Sequence, residues 1–191
     1  MTPVVNSASG GAAKVSLDTA ALRRALDSGS RTLVVEVPTS AAQSAEVSLD
    51  ASQVSTLKQT SGSTLVVSSA SGAVALPSEL IGGIASGSSI QVRIAPASSK
   101  SAAFEGFKNG ADVIGAPVSF EVSTTNAAGK SVSLTSTGST FVTRSFTIPA
   151  AVSSGQAGVV YEENGNYVEK AHVIKPSEGE AEKLFVKIGV I

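Results

Sequence analysis

The chain has 191 residues and a net charge of −1; 42% of it is hydrophobic but only 4% aromatic, with neither cysteine nor tryptophan. The lack of cysteine excludes disulfides and thiolate metal sites, and no basic cluster exceeds Arg23-Arg24, so the stripe that nucleic-acid binding needs is missing. No run of about 18 apolar residues is available for a membrane-spanning helix, and Met1-Thr2-Pro3 lacks the basic and apolar regions of a signal peptide.

Charged residues make up 15% of the chain, against about 25% in an average soluble protein, and serine takes up the difference. Small hydroxyl residues with β-branched Val, Ile and Thr favour strands and turns over long helices. A core must be built from Val, Ile, Leu and Ala.

Taken in chain order, residues 1–13 read as a flexible lead-in, rich in Ser, Gly and Ala from Asn6 to Ala13. Residues 14–97 hold three strand–helix–strand units. Val15-Ser16-Leu17-Asp18 and Thr32-Leu33-Val34-Val35 return, 32 residues later, as Val47-Ser48-Leu49-Asp50 and Thr64-Leu65-Val66-Val67. A shorter third copy runs from Val74-Ala75-Leu76-Pro77 to Ile90-Gln91-Val92-Arg93. Repeats of roughly this length denote a supersecondary unit stacked to share a core. Leu17, Leu49 and Leu76 are then equivalent positions lining one interior. Asp18 and Asp50 read as helix N-caps, with Leu22, Ala25 and Leu26 as the apolar stripe of the first helix and Val54 and Leu57 as that of the second. Gly29 and Ser61-Gly62 read as the stops. In the third unit Pro77 replaces Asp, and Leu80, Ile81 and Ile84 supply the apolar face. Ala70-Ser71-Gly72 reads as a hairpin turn, so this section is expected to form a mixed sheet with short helices on one side.

Residues 98–191 follow a different pattern. A polar stretch to Ala111 carries Phe104 and Phe107, three apart, as one helical turn pinning a loop. Strands are then expected at 117–123, 131–135, 141–148, 158–161, 167–174 and 184–191, with turn signals between them, Asn164-Gly165 the clearest. Such spacing predicts an antiparallel β-sandwich-like portion. The fold class expected is α+β, mainly β.

The repeated units, followed by Gly158-Val159-Val160-Tyr161-Glu162-Glu163-Asn164-Gly165-Asn166-Tyr167-Val168, resemble β-rich modules in large cell-surface proteins of Gram-positive bacilli. Those modules lie just before S-layer homology domains, which dock the protein onto cell-wall polymer. The resemblance spans roughly Lys14 to Val173 and implies an exported structural or spacer module beside other domains of a larger surface protein, with glycan contact as a further implication. The chain departs from the pattern in carrying no S-layer homology domain. It departs again at Lys183 to Ile191, plain strand residues where those modules close with a polar-aromatic signature.

Candidate chemistry is sparse. His172, the single histidine, would have to serve any Ser-His-Asp or two-histidine site, and it reads as a strand residue on the face of Val168 and Ile174. Glu178, Glu180 and Glu182, beside Lys175 and Lys183, read as a solvated loop, and no calcium-loop spacing is present. A Lys-to-Asn side-chain link would draw on Lys130 or Lys170 with Asn126 or Asn164, although both asparagines suit exposed turns. Tyr161, Tyr167, Phe104 and Phe107 are the candidate ligand-binding residues, as aromatic platforms for a cell-wall or extracellular glycan. Tyr161 and Tyr167 also suit a structural cross-strand pair. The expected function is a non-catalytic structural module at the cell surface, with no cofactor, metal, nucleic-acid partner or membrane insertion. A carbohydrate-binding module is the alternative.

Overall fold

The computed structural model describes residues 4–9, 11–39, 43–101, 116–135, 139–147, 159–163, 166–170 and 183–188. The chain begins with β1 (Val4–Ser9). The first unit is β2 (Ala12–Ser16), α1 (Thr19–Asp27) and β3 (Thr32–Glu36). The second is β4 (Ser44–Leu49), α2 (Ala51–Gln59) and β5 (Thr64–Ser69), and the third is β6 (Gly72–Pro77), α3 (Ser78–Gly82) and β7 (Ser89–Pro96). After a 3-10 turn at Ser98–Lys100 come β8 (Val118–Thr125), β9 (Ser131–Ser133), β10 (Val142–Thr147), β11 (Val159–Glu163), β12 (Asn166–Lys170) and β13 (Lys183–Ile188). The fold is α+β and mainly β.

These strands form two mixed sheets and a separate β11-β12 hairpin. The first sheet runs β1-β2-β4-β7-β8-β9 and the second β13-β10-β6-β5-β3. Each unit therefore places one strand in each sheet, with its helix bridging them, where a single mixed sheet with helices on one side was expected. The reason is the length of the connection: a two-turn helix with an apolar stripe buries that stripe when it closes the space between two sheets. Apolar side chains of both sheets and all three helices form one cluster.

The 32-residue displacement is the register of two parallel ladders. β2 lies parallel to β4 with Val15 opposite Val47, and β3 lies parallel to β5 with Thr32 opposite Thr64. The third unit runs through the same layers in reverse. Because β5 turns through Ala70-Ser71 directly into β6, Leu76 pairs antiparallel with Leu65, and β7 returns antiparallel to β4 with Val92 opposite Val47. Leu17, Leu49 and Leu76 are all buried in the common interior. Leu17 and Leu49 are equivalent in the first sheet, but Leu76 lies in the second.

Later strands continue both sheets. β8 pairs with β7 along Ser89–Pro96, and β10 pairs with both β6 and β13. The segment read as a flexible lead-in also differs: β1 pairs antiparallel with β2, with an irregularity between Val5 and Ser7. The open edge of β2 offers backbone partners that outweigh the weak local preferences of Ser, Ala and Gly.

The helix caps hold the stack. Asp18 Oδ1 accepts from Ala21 N at 2.6 Å. Asp50 Oδ1 accepts from Ser52 N and Gln53 N, while Gln53 Oε1 accepts from Asp50 N at 2.9 Å, completing a capping box. Gln53 is buried, and its Nε2 donates to Leu17 O at 2.6 Å and to Thr19 Oγ1 at 3.1 Å. One amide thus caps its own helix and ties the second unit to the first. On the other flank, Lys58 Nζ donates from α2 to Ile84 O beyond α3.

Charge is kept to the outside of the first sheet. The register aligns Lys14, Glu46, Arg93 and Glu121 across β2, β4, β7 and β8 in alternating sign. Lys14 and Glu46 are 3.1 Å apart, and Arg93 and Glu121 3.4 Å. The Arg93–Glu121 pair is exposed and contributes at most about 1 kcal/mol, whereas Glu46 is only 13% exposed in its pair with Lys14.

Gly72 is closely surrounded by the neighbouring strand β10 and by Phe120 of the other sheet. A Cβ there would lie 2.7 Å from Ser145 O and 3.3 Å from the Phe120 ring. Phe120 packs edge-on against Phe146 with centroids 5.4 Å apart, and the Arg144 guanidinium carbon sits 5.3 Å from the Phe120 centroid. Gly72→Ala is expected to cost about 2 kcal/mol or more through this overpacking, read as a lower urea midpoint.

The hydrogen bond from Gln53 N, helped by the Ser52 hydroxyl and amide and opposed by slight burial, holds the Asp50 carboxyl below its ordinary value of 3.8. A lowered folded-state pKa adds stability that is present above the unfolded value and lost as pH falls through the folded one. Asp50→Ala is expected to cost about 1 kcal/mol near neutral pH, and that difference should shrink below the ordinary value. Gln53→Ala, which leaves Leu17 O and Asp50 N without their amide partners, should cost about 1–3 kcal/mol with little pH dependence. Urea titrations at several pH values check both.

Candidate binding surface

A groove lies between α3 and the connection from β8 to β9. On one side, Gly82-Gly83 ends α3 after five residues and leaves Leu80, Ile81 and Ile84 on the core. On the other, Asn126 organises the turn: its Oδ1 accepts from Ala128 N and Lys130 N, both at 3.0 Å, and its own N–H donates to Lys130 O. Gly129 supplies the positive φ of 77° that this turn requires. The groove is a shallow depression open to solvent, with room for about 460 Å³, and its wall includes Glu79, Ile84, Thr124, Lys130, Val132 and Thr140.

The lining combines an apolar floor with hydroxyls, one cation and one carboxylate, which suits hydrogen bonding to a polar, hydroxyl-rich molecule. Val132 is 55% exposed, and Phe141, next in sequence to Thr140, is 63% exposed. Among the described residues, the remaining large exposed hydrophobic side chain is Val34, on the edge strand β3.

Several residues singled out from sequence have structural work here. Asp18 and Asp50 are helix caps. Asn126 sits in an exposed turn with its carboxamide oxygen engaged by backbone amides, and Lys130 is exposed on the same turn. Lys170 lies in β12, and Asn164 lies outside the described residues. Tyr161 is in β11 opposite Val168, and Tyr167 is in β12 opposite Glu162. The two tyrosines are therefore not directly opposed in the ladder. Phe104, Phe107, His172, Glu178, Glu180 and Glu182 all lie outside the described residues. Among the described residues no group of three or more His, Asp or Glu side chains is placed to hold a metal ion.

Phe141 is the residue that sequence reasoning passed over. It reads as the first residue of a strand, where an aromatic suits the core. Val142 is instead fully buried, and alternation sends its neighbours the other way. That parity signal needs the register of β10 against β6 to be usable. Phe141→Ala should leave stability within about 0.5 kcal/mol of the parent, as for an exposed side chain. Val142→Ala should cost about 2 kcal/mol. Paired denaturation curves separate the two.

Comparison of the chain with protein-family models, curated proteins and solved structures gives no match.

Proposed function

We propose that the chain is a non-catalytic structural module of an exported cell-surface protein, a spacer between neighbouring domains. The observation that supports it most is the registry of the repeats, in which sequence equivalents sit side by side in both sheets around one shared core. The polar groups of the repeats serve the stack itself: Asp18 and Asp50 cap helices, Gln53 joins units, and Glu46 and Glu121 pair across strands. Extended ladders with a Val/Leu/Ile interior resist local opening, because separating any strand exposes apolar surface along its length. Lys14 and Lys130 are exposed, so a non-permeant amine reagent applied to intact cells making the full-length protein should label both. Labelling only after lysis would overturn the surface assignment.

A second reading, a carbohydrate-binding module, draws support from the exposed ring of Phe141, which follows the groove residue Thr140 in sequence. An exposed ring offers a face for a pyranose, and Lys130, Thr124 and Thr140 in the groove offer hydrogen-bonding groups. On a glycan array this reading expects saturable binding that falls at least tenfold in Phe141→Ala and in Lys130→Ala while the fold is retained. Absence of binding by the parent protein leaves the spacer reading alone.

A further inference from the structure

The first units of the two sheets end differently. In the first sheet β1 covers β2, whereas in the second sheet β3 is the terminal strand among the described residues. Hydrogen bonding shows which backbone groups that edge presents. Thr64 N donates to Arg31 O, and Val37 N donates to Ser68 O. In a parallel pair a residue directs both its N–H and C=O to the same neighbour, and the next residue directs both away. Arg31, Leu33, Val35 and Val37 therefore serve β5, while Thr32, Val34 and Glu36 turn their N–H and C=O groups to the open edge. Val34, at the centre of this set, is 44% exposed.

We propose that β3 pairs with β3 of a second copy of this chain, antiparallel about a two-fold axis through Val34. Centring on Val34 sets Val34 opposite its counterpart and Thr32 opposite Glu36. Every outward N–H and C=O of the three residues then meets a partner, because all fall at hydrogen-bonded positions of an antiparallel ladder. The side chains match as well. Glu36 meets the Thr32 hydroxyl rather than a second carboxylate, and the exposed valines cover each other. On the inner face Leu33, 3% exposed, and Val35, fully buried, fall opposite one another across the axis, so the apolar layer continues from copy to copy. The outer face agrees: Val34, Val66 and Ala75 form a row across β3, β5 and β6 that the axis would double. A further copy of the repeat, the other natural occupant of this edge, would need both sheets open at that end, and β1 occupies the first.

Sedimentation velocity over a range of concentrations tests the pairing. The parent chain is expected to shift toward twice its 19.0 kDa mass as concentration rises. Val34→Lys, at an exposed position, sets like charges opposite each other and should keep the protein monomeric with an unchanged circular dichroism spectrum. Val34→Pro removes only an outward N–H and should act alike; if it fails to fold, Val34→Lys decides. The chain has no cysteine, so Val34→Cys offers a position check, with mild oxidation expected to give a covalent dimer. A parent that stays monomeric at every concentration, or a dimer that survives Val34→Lys, overturns the proposal.

Discussion

Two parallel ladders in separate sheets share one repeat length, and the rest of the fold depends on that agreement. Val15 meets Val47 in the first sheet while Thr32 meets Thr64 in the second, so the strand, helix and loops of each unit must span equal distances. A one-residue change in either half would slip one ladder against the other and turn buried side chains toward solvent. The helices enforce the match. Each joins a strand of one sheet to a strand of the other and buries its stripe in the shared core, and α2 touches both α1 and α3.

Polar chemistry is used sparingly and at the joints. Gln53 is a buried amide whose oxygen and nitrogen both find partners, one in its own cap and one in the preceding unit. Such a group stabilises one alignment of the units over others, because any shift strands a buried donor or acceptor. Gly72 lets β6 pass close to Ser145 O of the neighbouring strand and to the Phe120 ring of the other sheet, where a side chain would disturb the pairing of β6 with β10. The scarcity of aromatic residues elsewhere makes this Phe120–Phe146 contact an unusual anchor between the sheets.

The reversal of the third unit also explains how the strands after Ser98 attach. β8 adds antiparallel to the free side of β7, and β10 adds antiparallel to the free side of β6. A third parallel coil would have offered edges suited to another repeat instead. The change in sequence pattern after Pro96 accompanies this change from stacked units to plain antiparallel addition, and it needs no break in either sheet.

Local chemistry alone determined the helix caps at Asp18 and Asp50, the apolar stripes, the glycine stops at Gly29 and Gly62, and the strand positions in the second half. Those features depend on neighbours a few residues away, which a single chain displays. Repetition added a shared interior with Leu17 and Leu49 in equivalent places. Only the tertiary structure decided that each unit spans two sheets, that Leu76 faces the core from the other one, that Val4–Ser9 is a strand, and that Phe141 faces solvent. Each of these turns on which strands pair and in which register, a long-range choice made by burial and backbone hydrogen bonding together, and periodicity within one segment carries no record of its partner.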